Sequence, residues 1–254
     1  MSFALFKKTV IFFAFFLIVA PQFACAAPST DKPPTTSSST PRIQPATPVL
    51  AQTPDSATPT PTISSPIKFA LTFDDGPSPK YTPQVLAMLD KFGVQGTFFV
   101  VGTNFTQYPI LLQQIAAKGN EISSHSMTHP NPDFLSDAEL DYEITTSVTV
   151  LRETFDQPVH YFRPPYGKGN YIYIKRAPEI GVKIVYWTVD PRDWSGISAD
   201  LFAERVLDKL SPGCIVLLHD GGGNRQQTVD ALEIILREAN ARSYNAVTLS
   251  NLET

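Results

Sequence analysis

From Ile67 to the C-terminus, short β-rich runs alternate with stretches of helical periodicity. The runs Ile67–Phe73, Gly96–Val101, Glu121–Ser124, Val159–Arg163, Val182–Thr188, Cys214–Leu218 and Ala246–Leu249 read as strands. Helical patterns fill the intervals at Pro83–Phe92, Thr106–Lys118, Asp137–Phe155, Ile172–Ile180, Ala199–Leu210 and Thr228–Ala241. Ser136 with Glu139 makes a capping box for the third helix, and Ser198 is an N-cap for the fifth. Strands alternating with helices predict βαβ units and a parallel sheet. Seven strands suit a barrel or an open doubly wound sheet, and both gather chemistry at the C-terminal strand ends.

The pattern changes before Ile67. Residues 27–66 are mostly Pro, Ser and Thr, with no hydrophobic period. Such a segment buries too little apolar surface to offset its ordering entropy and reads as a disordered linker. In a polyproline regime of ~3.1 Å per residue it would span on the order of 100 Å. Residues 1–26 read as a signal peptide: Lys7 and Lys8, an apolar Thr9–Ala20, then small residues at Ala24-Cys25-Ala26. The apolar run is shorter than the ~18 residues of a spanning helix, although an uncleaved segment would tether the domain to a membrane. Lipidation at Cys25 is disfavoured by Gln22, where such signals usually carry Leu. The expected location is therefore outside the cytoplasm: secreted, periplasmic or envelope-associated. Cleavage after Ala26 leaves Cys214 alone, so no intrachain disulfide forms, and its apolar run marks it as a buried small hydrophobe. A net charge of −4, with no basic run, excludes a nucleic-acid footprint. No protein partner is implied.

Candidate chemistry follows the predicted strands. Asp74 and Asp75 close the first, and Gly76-Pro77 predicts a sharp turn presenting both carboxylates. Two close carboxylates repel unless a cation lies between them or one holds a proton. His125 and His129, after the third strand, have the i, i+4 spacing that puts two imidazoles on one face of a helical turn. With Asp75 they make a His₂-carboxylate set suited to catalytic zinc or a similar divalent ion. Ser126 stands where a zinc peptidase has its glutamate, which disfavours that class. Arg163, in Arg163-Pro164-Pro165-Tyr166-Gly167, presents a fork matched to a carboxylate. Asp190-Pro191-Arg192-Asp193-Trp194 pairs acids with an aromatic that could wall a sugar-sized pocket. His219 ends a buried apolar strand, where it could act as an acid or base. Of the four histidines, only His160 receives no role.

In this order, TFDDGP, SHSMTHP, RPPYG, DPRDW and IVLLHD resemble the five motifs of the polysaccharide deacetylases, the NodB-homology or carbohydrate esterase 4 group. The resemblance spans residues 67–254 and implies a distorted (β/α) barrel of about seven parallel strands. It implies Asp75, His125 and His129 as ligands of one divalent metal, zinc first, with cobalt or manganese as alternatives. It implies Asp74 as catalytic base, Arg163 as its orienting partner, His219 as general acid and Asp193 as the acid supporting the Arg or His. Asp190 could share that support. Tyr166 would lend a backbone N–H to the oxyanion, Trp194 a groove wall and Leu217 an acetyl-methyl contact. The implied reaction removes N-acetyl groups from an N-acetylglucosamine polymer, with peptidoglycan the leading glycan and chitin oligomers or acetyl-xylan as alternatives. A non-catalytic glycan-binding module is the rival from another class. The intact base, acid and ligand set argues against it.

Overall fold

The computed structural model describes residues 66–253, Asp156 excepted. The expected signal peptide, and all of the expected linker but Pro66, lie outside the described residues. Among the described residues no helix is long and apolar enough to cross a membrane.

Seven strands form one sheet: β1 (Ile67–Gly76), β2 (Thr97–Val100), β3 (Glu121–Ser124), β4 (Tyr161–Phe162), β5 (Lys183–Ile184), β6 (Ile215–His219) and β7 (Tyr244–Val247). Every pairing is parallel, in the order β5-β4-β3-β2-β1-β6, and β7 pairs with the opening residues of β1. The sheet curls until the chain beyond β5 meets β6 through a single bridge, Val189 to Val216. This is the expected distorted barrel. Around it lie α1 (Thr82–Phe92), α2 (Gly102–Gln107), α3 (Pro109–Ala117), α4 (Asp137–Thr154), α5 (Tyr171–Glu179), α6 (Ala199–Lys209), α7 (Gln226–Ala241) and α8 (Leu249–Leu252).

Side-chain alternation along β1 decides what the barrel can hold. Phe69, Leu71 and Phe73 join the large core that includes residues of α1 and α7. Ala70 falls in a separate buried cluster with Phe99 and Tyr161. Thr72 and Asp74 share the register of Ala70, so the interior face becomes polar toward the strand's end.

Four expectations need correction. The helix expected at Thr106–Lys118 is two, α2 and α3, because Pro109 lacks an N–H and forces Tyr108 out of helical geometry (φ −125°, ψ 57°). β4 stops at Phe162 because the prolines at 164 and 165 cannot donate to a ladder. β5 keeps only two of seven expected residues, since the carbonyls of Val185 and Tyr186 accept from Arg163 instead. β1 runs on to Gly76 rather than turning after Phe73. Both expected caps form: Ser136 and Glu139 exchange hydrogen bonds, and Ser198 accepts from the Leu201 N–H. Cys214 is buried and free.

Candidate active site

Asp74 and Asp75 meet at the site through a β-bulge. Regular alternation would put them on opposite faces of β1. The register with β2 slips between Asp74 and Gly76, and Asp75 adopts φ 69°. A bulge re-aims a side chain in this way. The bulge is held by Asn104, whose Nδ2 donates to the Asp75 carbonyl at 2.9 Å. Gly221 lies so close that a Cβ there would sit 2.0 Å from that carbonyl oxygen.

The histidine pair is also built differently from expectation. His125–His129 is a loop, not a helical turn, with Ser126 at φ 71° and His129 at φ 58°. Left-handed geometry at non-glycine residues costs on the order of 1–3 kcal/mol each, so the surroundings must hold it. The Ser126 hydroxyl accepts from the His129 N–H at 3.0 Å. His125 Nδ1 lies 2.8 Å from the Arg163 carbonyl, which can only accept, so Nδ1 carries the hydrogen. Burial, the largest influence, pushes the His125 pKa down to about 3. The ring is therefore neutral, with the Nε2 lone pair turned inward. Nε2 lies 3.5 Å from Asp75 Oδ1, and His129 Nε2 lies 3.1 Å from the same oxygen.

That oxygen is buried and has no hydrogen-bond partner. The Asp75, His125 and His129 donor atoms all lie within 4.8 Å of one another. A neutral imidazole lone pair aimed at an unsatisfied carboxylate oxygen leaves a cation as the natural complement, and a His₂-carboxylate set suits a divalent one.

Arg163 is fully buried beneath the pocket. Its Nη1 donates to Asp74 Oδ1 at 2.7 Å and to Thr72 Oγ1 at 2.8 Å. Its other nitrogens donate to the carbonyls of Val185 and Tyr186, and the guanidinium stacks 4.0 Å over the Phe99 ring. Burial raises the Asp74 pKa, and the opposing pull of Arg163 and His219 does not cancel it. Arg163 favours the ionised form, by its charge and by its hydrogen bond, but burial is the larger influence. A cation at Asp75 would add to the pull that favours ionisation.

Asp74 pairs in register with His219 on the neighbouring strand. His219 Nδ1 lies 2.7 Å from Asp193 Oδ1, while Asp193 Oδ2 accepts from the His219 N–H and Thr228 Oγ1. Burial would lower the His219 pKa, but the Asp193 hydrogen bond and charge, with Asp74 and Asp75, raise it. Asp193 therefore faces the histidine rather than the arginine. Asp190 lines the same pocket but accepts from the Arg192 N–H of its own loop at 2.8 Å.

A pocket of about 410 Å³ opens over these groups, within the range of small-molecule sites. Asp74, Asp75, His125, His129, Tyr166, Trp194, Leu217 and His219 line it, with Arg163 and Asp193 bonded to lining residues. Tyr166 and Trp194 are more than half exposed at the rim, and the Tyr166 ring lies 4.9 Å from that of His129. His160 lies outside this pocket.

Sequence reasoning missed three buried groups. Glu143 on α4 bonds the loop between the two histidines. Its sequence signal was an acid on the apolar stripe of Leu140, Ile144, Val148 and Leu151. Asp220 is bonded to Thr82 Oγ1 and packs under Gly76; burial, with Asp75 and Asp74 nearby, raises its pKa to about 7 despite that bond. Arg225 donates to the Gly221 carbonyl at 2.6 Å and reaches 3.8 Å from Asp75 Oδ2.

Residues 64–185 match the Polysaccharide deacetylase family. The chain is 40% identical, over 72% of its length and 86% of the relative's, to a peptidoglycan-N-acetylglucosamine deacetylase of Bacillus cereus. It is 36% identical to a chitooligosaccharide deacetylase of a Bradyrhizobium species, over 72% of this chain and 89% of that one. Among solved structures, the peptidoglycan deacetylase PdaC from Bacillus subtilis superposes with a TM-score of 0.68 at 32% identity, covering 74% of this chain and 90% of that one. The fold and the pocket are those of a carbohydrate-directed hydrolase. The chain belongs to the polysaccharide deacetylase family.

Proposed function

We propose that this protein removes N-acetyl groups from N-acetylglucosamine units of a cell-wall glycan, with peptidoglycan as the substrate, and acts outside the cytoplasm. The observation that carries the chemistry is the juxtaposition at two adjacent strand ends. Asp74, held by Arg163, and His219, held by Asp193, flank the unsatisfied Asp75 Oδ1 and its two histidines. The similarity to a B. cereus peptidoglycan deacetylase favours this glycan, and the similarity to a rhizobial chitooligosaccharide deacetylase makes chitin oligomers the second candidate.

Asp75, His125 and His129 would hold a divalent ion, with zinc the best match to two imidazoles and one carboxylate. When bound, it supplies a Lewis acid that makes water a better nucleophile and polarises the acetamide carbonyl. Asp74, fixed by Arg163 Nη1, takes the proton of the attacking water. Negative charge then gathers on the former carbonyl oxygen, where the Tyr166 backbone N–H can donate to it. The amine is a poor leaving group until protonated, and His219 delivers that proton as the C–N bond breaks. The Asp193 hydrogen bond and charge, with Asp74 and Asp75, raise its pKa, which favours the charged form despite burial. Leu217 packs against the acetyl methyl, and Trp194 offers a ring face to the sugar. The products are acetate and a free amino sugar.

The test is acetate release by purified protein from peptidoglycan, chitin oligomers and acetyl-xylan, with and without chelator. Peptidoglycan should give the highest kcat/KM, and chelator should abolish it. Activity indifferent to chelation would reject the metal chemistry, and preference for another glycan would reassign the substrate. His125→Ala should lose both the metal and the acetate signal.

A further inference from the structure

Glu143 sits mid-helix in α4 at 5% exposure, among the apolar residues that seat the helix on the sheet. A hydrophobe would fill that position without the cost of desolvating a carboxylate. Its hydrogen-bond donors all come from one loop. Oε2 accepts from the consecutive N–H groups of Met127 and Thr128, each at 2.8 Å. Oε1 accepts from Thr128 Oγ1 at 2.7 Å. Two successive amides converging on one oxygen form a small anion cradle, and here the protein fills it with its own side chain. The cradle lies between His125 and His129, in a loop with left-handed geometry at Ser126 and His129.

From this we infer that Glu143 is a positioning residue that sets the affinity of the Asp75–His125–His129 site for its divalent cation. The inference rests on the proposed reading of that triad as a metal site. Glu143 does not reach the pocket's reacting groups; it holds the three residues between two ligands in the one shape that lets both imidazoles face Asp75. Without it the loop samples other shapes, and the cation must re-order the ligands on binding. The deficit then falls on cation affinity, as with other outer partners of metal ligands.

The experiment is isothermal titration of stripped, full-length protein with Zn²⁺, comparing wild type, Glu143→Ala and Glu143→Gln. Glu143→Ala should raise the Kd about 10–100-fold. Glu143→Gln keeps an amide oxygen for both N–H groups and should recover most of that loss. Activity lost by Glu143→Ala at limiting Zn²⁺ should return with excess Zn²⁺, which a purely structural defect would not show. Should the alanine variant fail to fold, Glu143→Gln and Thr128→Val carry the test, and each should weaken binding by a smaller factor. An unchanged Kd across the folded variants overturns the inference. Wild-type protein that takes up no cation overturns the metal reading itself, and that outcome is seen before any variant is made.

Discussion

Asp74–Arg163 and His219–Asp193 stand side by side at the ends of β1 and β6, yet their electrostatic balance runs in opposite senses. In the first pair the working group is a carboxylate steadied by a cation; in the second it is an imidazole steadied by a carboxylate. Burial outweighs the partner at Asp74, whose pKa rises despite Arg163. At His219 burial is again the largest single influence, but Asp193 together with Asp74 and Asp75 outweighs it, and the pKa also rises. The second pair needs no added charge, because the surrounding carboxylates already shift the imidazole toward its charged form. The first is unfinished, because burial still raises the pKa of its carboxylate, and the neighbouring ligand set is where further positive charge would sit.

The largest expected effect tests the unfinished pair. Asp74→Asn should lower kcat by ~10²–10⁴-fold, the usual worth of a positioned acid or base, while Zn²⁺ binding persists. Full acetate release by that variant would remove Asp74 from the base role. Arg163→Met should leave Asp74 buried without its partner and destabilise the fold by ~3–5 kcal/mol, read by urea denaturation. A midpoint matching wild type would show that the pair contributes no net stability.

For the second pair the signature is a pH profile. As the proposed acid His219 would act while protonated, so with its pKa raised the activity should hold to higher pH and fall as pH climbs through the raised pKa. Asp193→Asn removes the influence that raises it, so the high-pH limb of kcat/KM should move toward lower pH. An unmoved limb would separate Asp193 from the acid. The smallest effect belongs to the rim. Trp194→Ala should raise KM by ~2–10-fold through lost ring contact with the sugar and leave the unfolding midpoint nearly unchanged.

The residue types at the strand ends were legible because five short motifs each follow a β-rich run. What brings them together was less so. The bulge at Asp75 breaks an alternation that sequence patterning assumes, and nothing in Asp-Asp-Gly-Pro distinguishes it from a turn. The His125–His129 spacing suggested a helix, while the real loop depends on Glu143, whose partners lie 15 and 16 residues away. β5 is shorter than its β-rich run predicts because Arg163 takes two of the carbonyls its ladder would use. In each case a long-range polar contact overrides a local sequence pattern.

The placement of β1 has a consequence for how the molecule comes into being. This first strand of the described domain lies mid-sheet, and its Thr72 hydroxyl donates to Val216, 144 residues later in the chain. Pairings of such separation close slowly, because loop entropy must be overcome before they are rewarded. Until the chain has been made past Ile215 and Tyr244, β1 has neither β6 nor β7 beside it. Asp74 cannot then face His219, and the site is among the last features to assemble. A nascent or truncated chain ending before Ile215 would be chemically silent, because the strand that carries His219 would not yet exist.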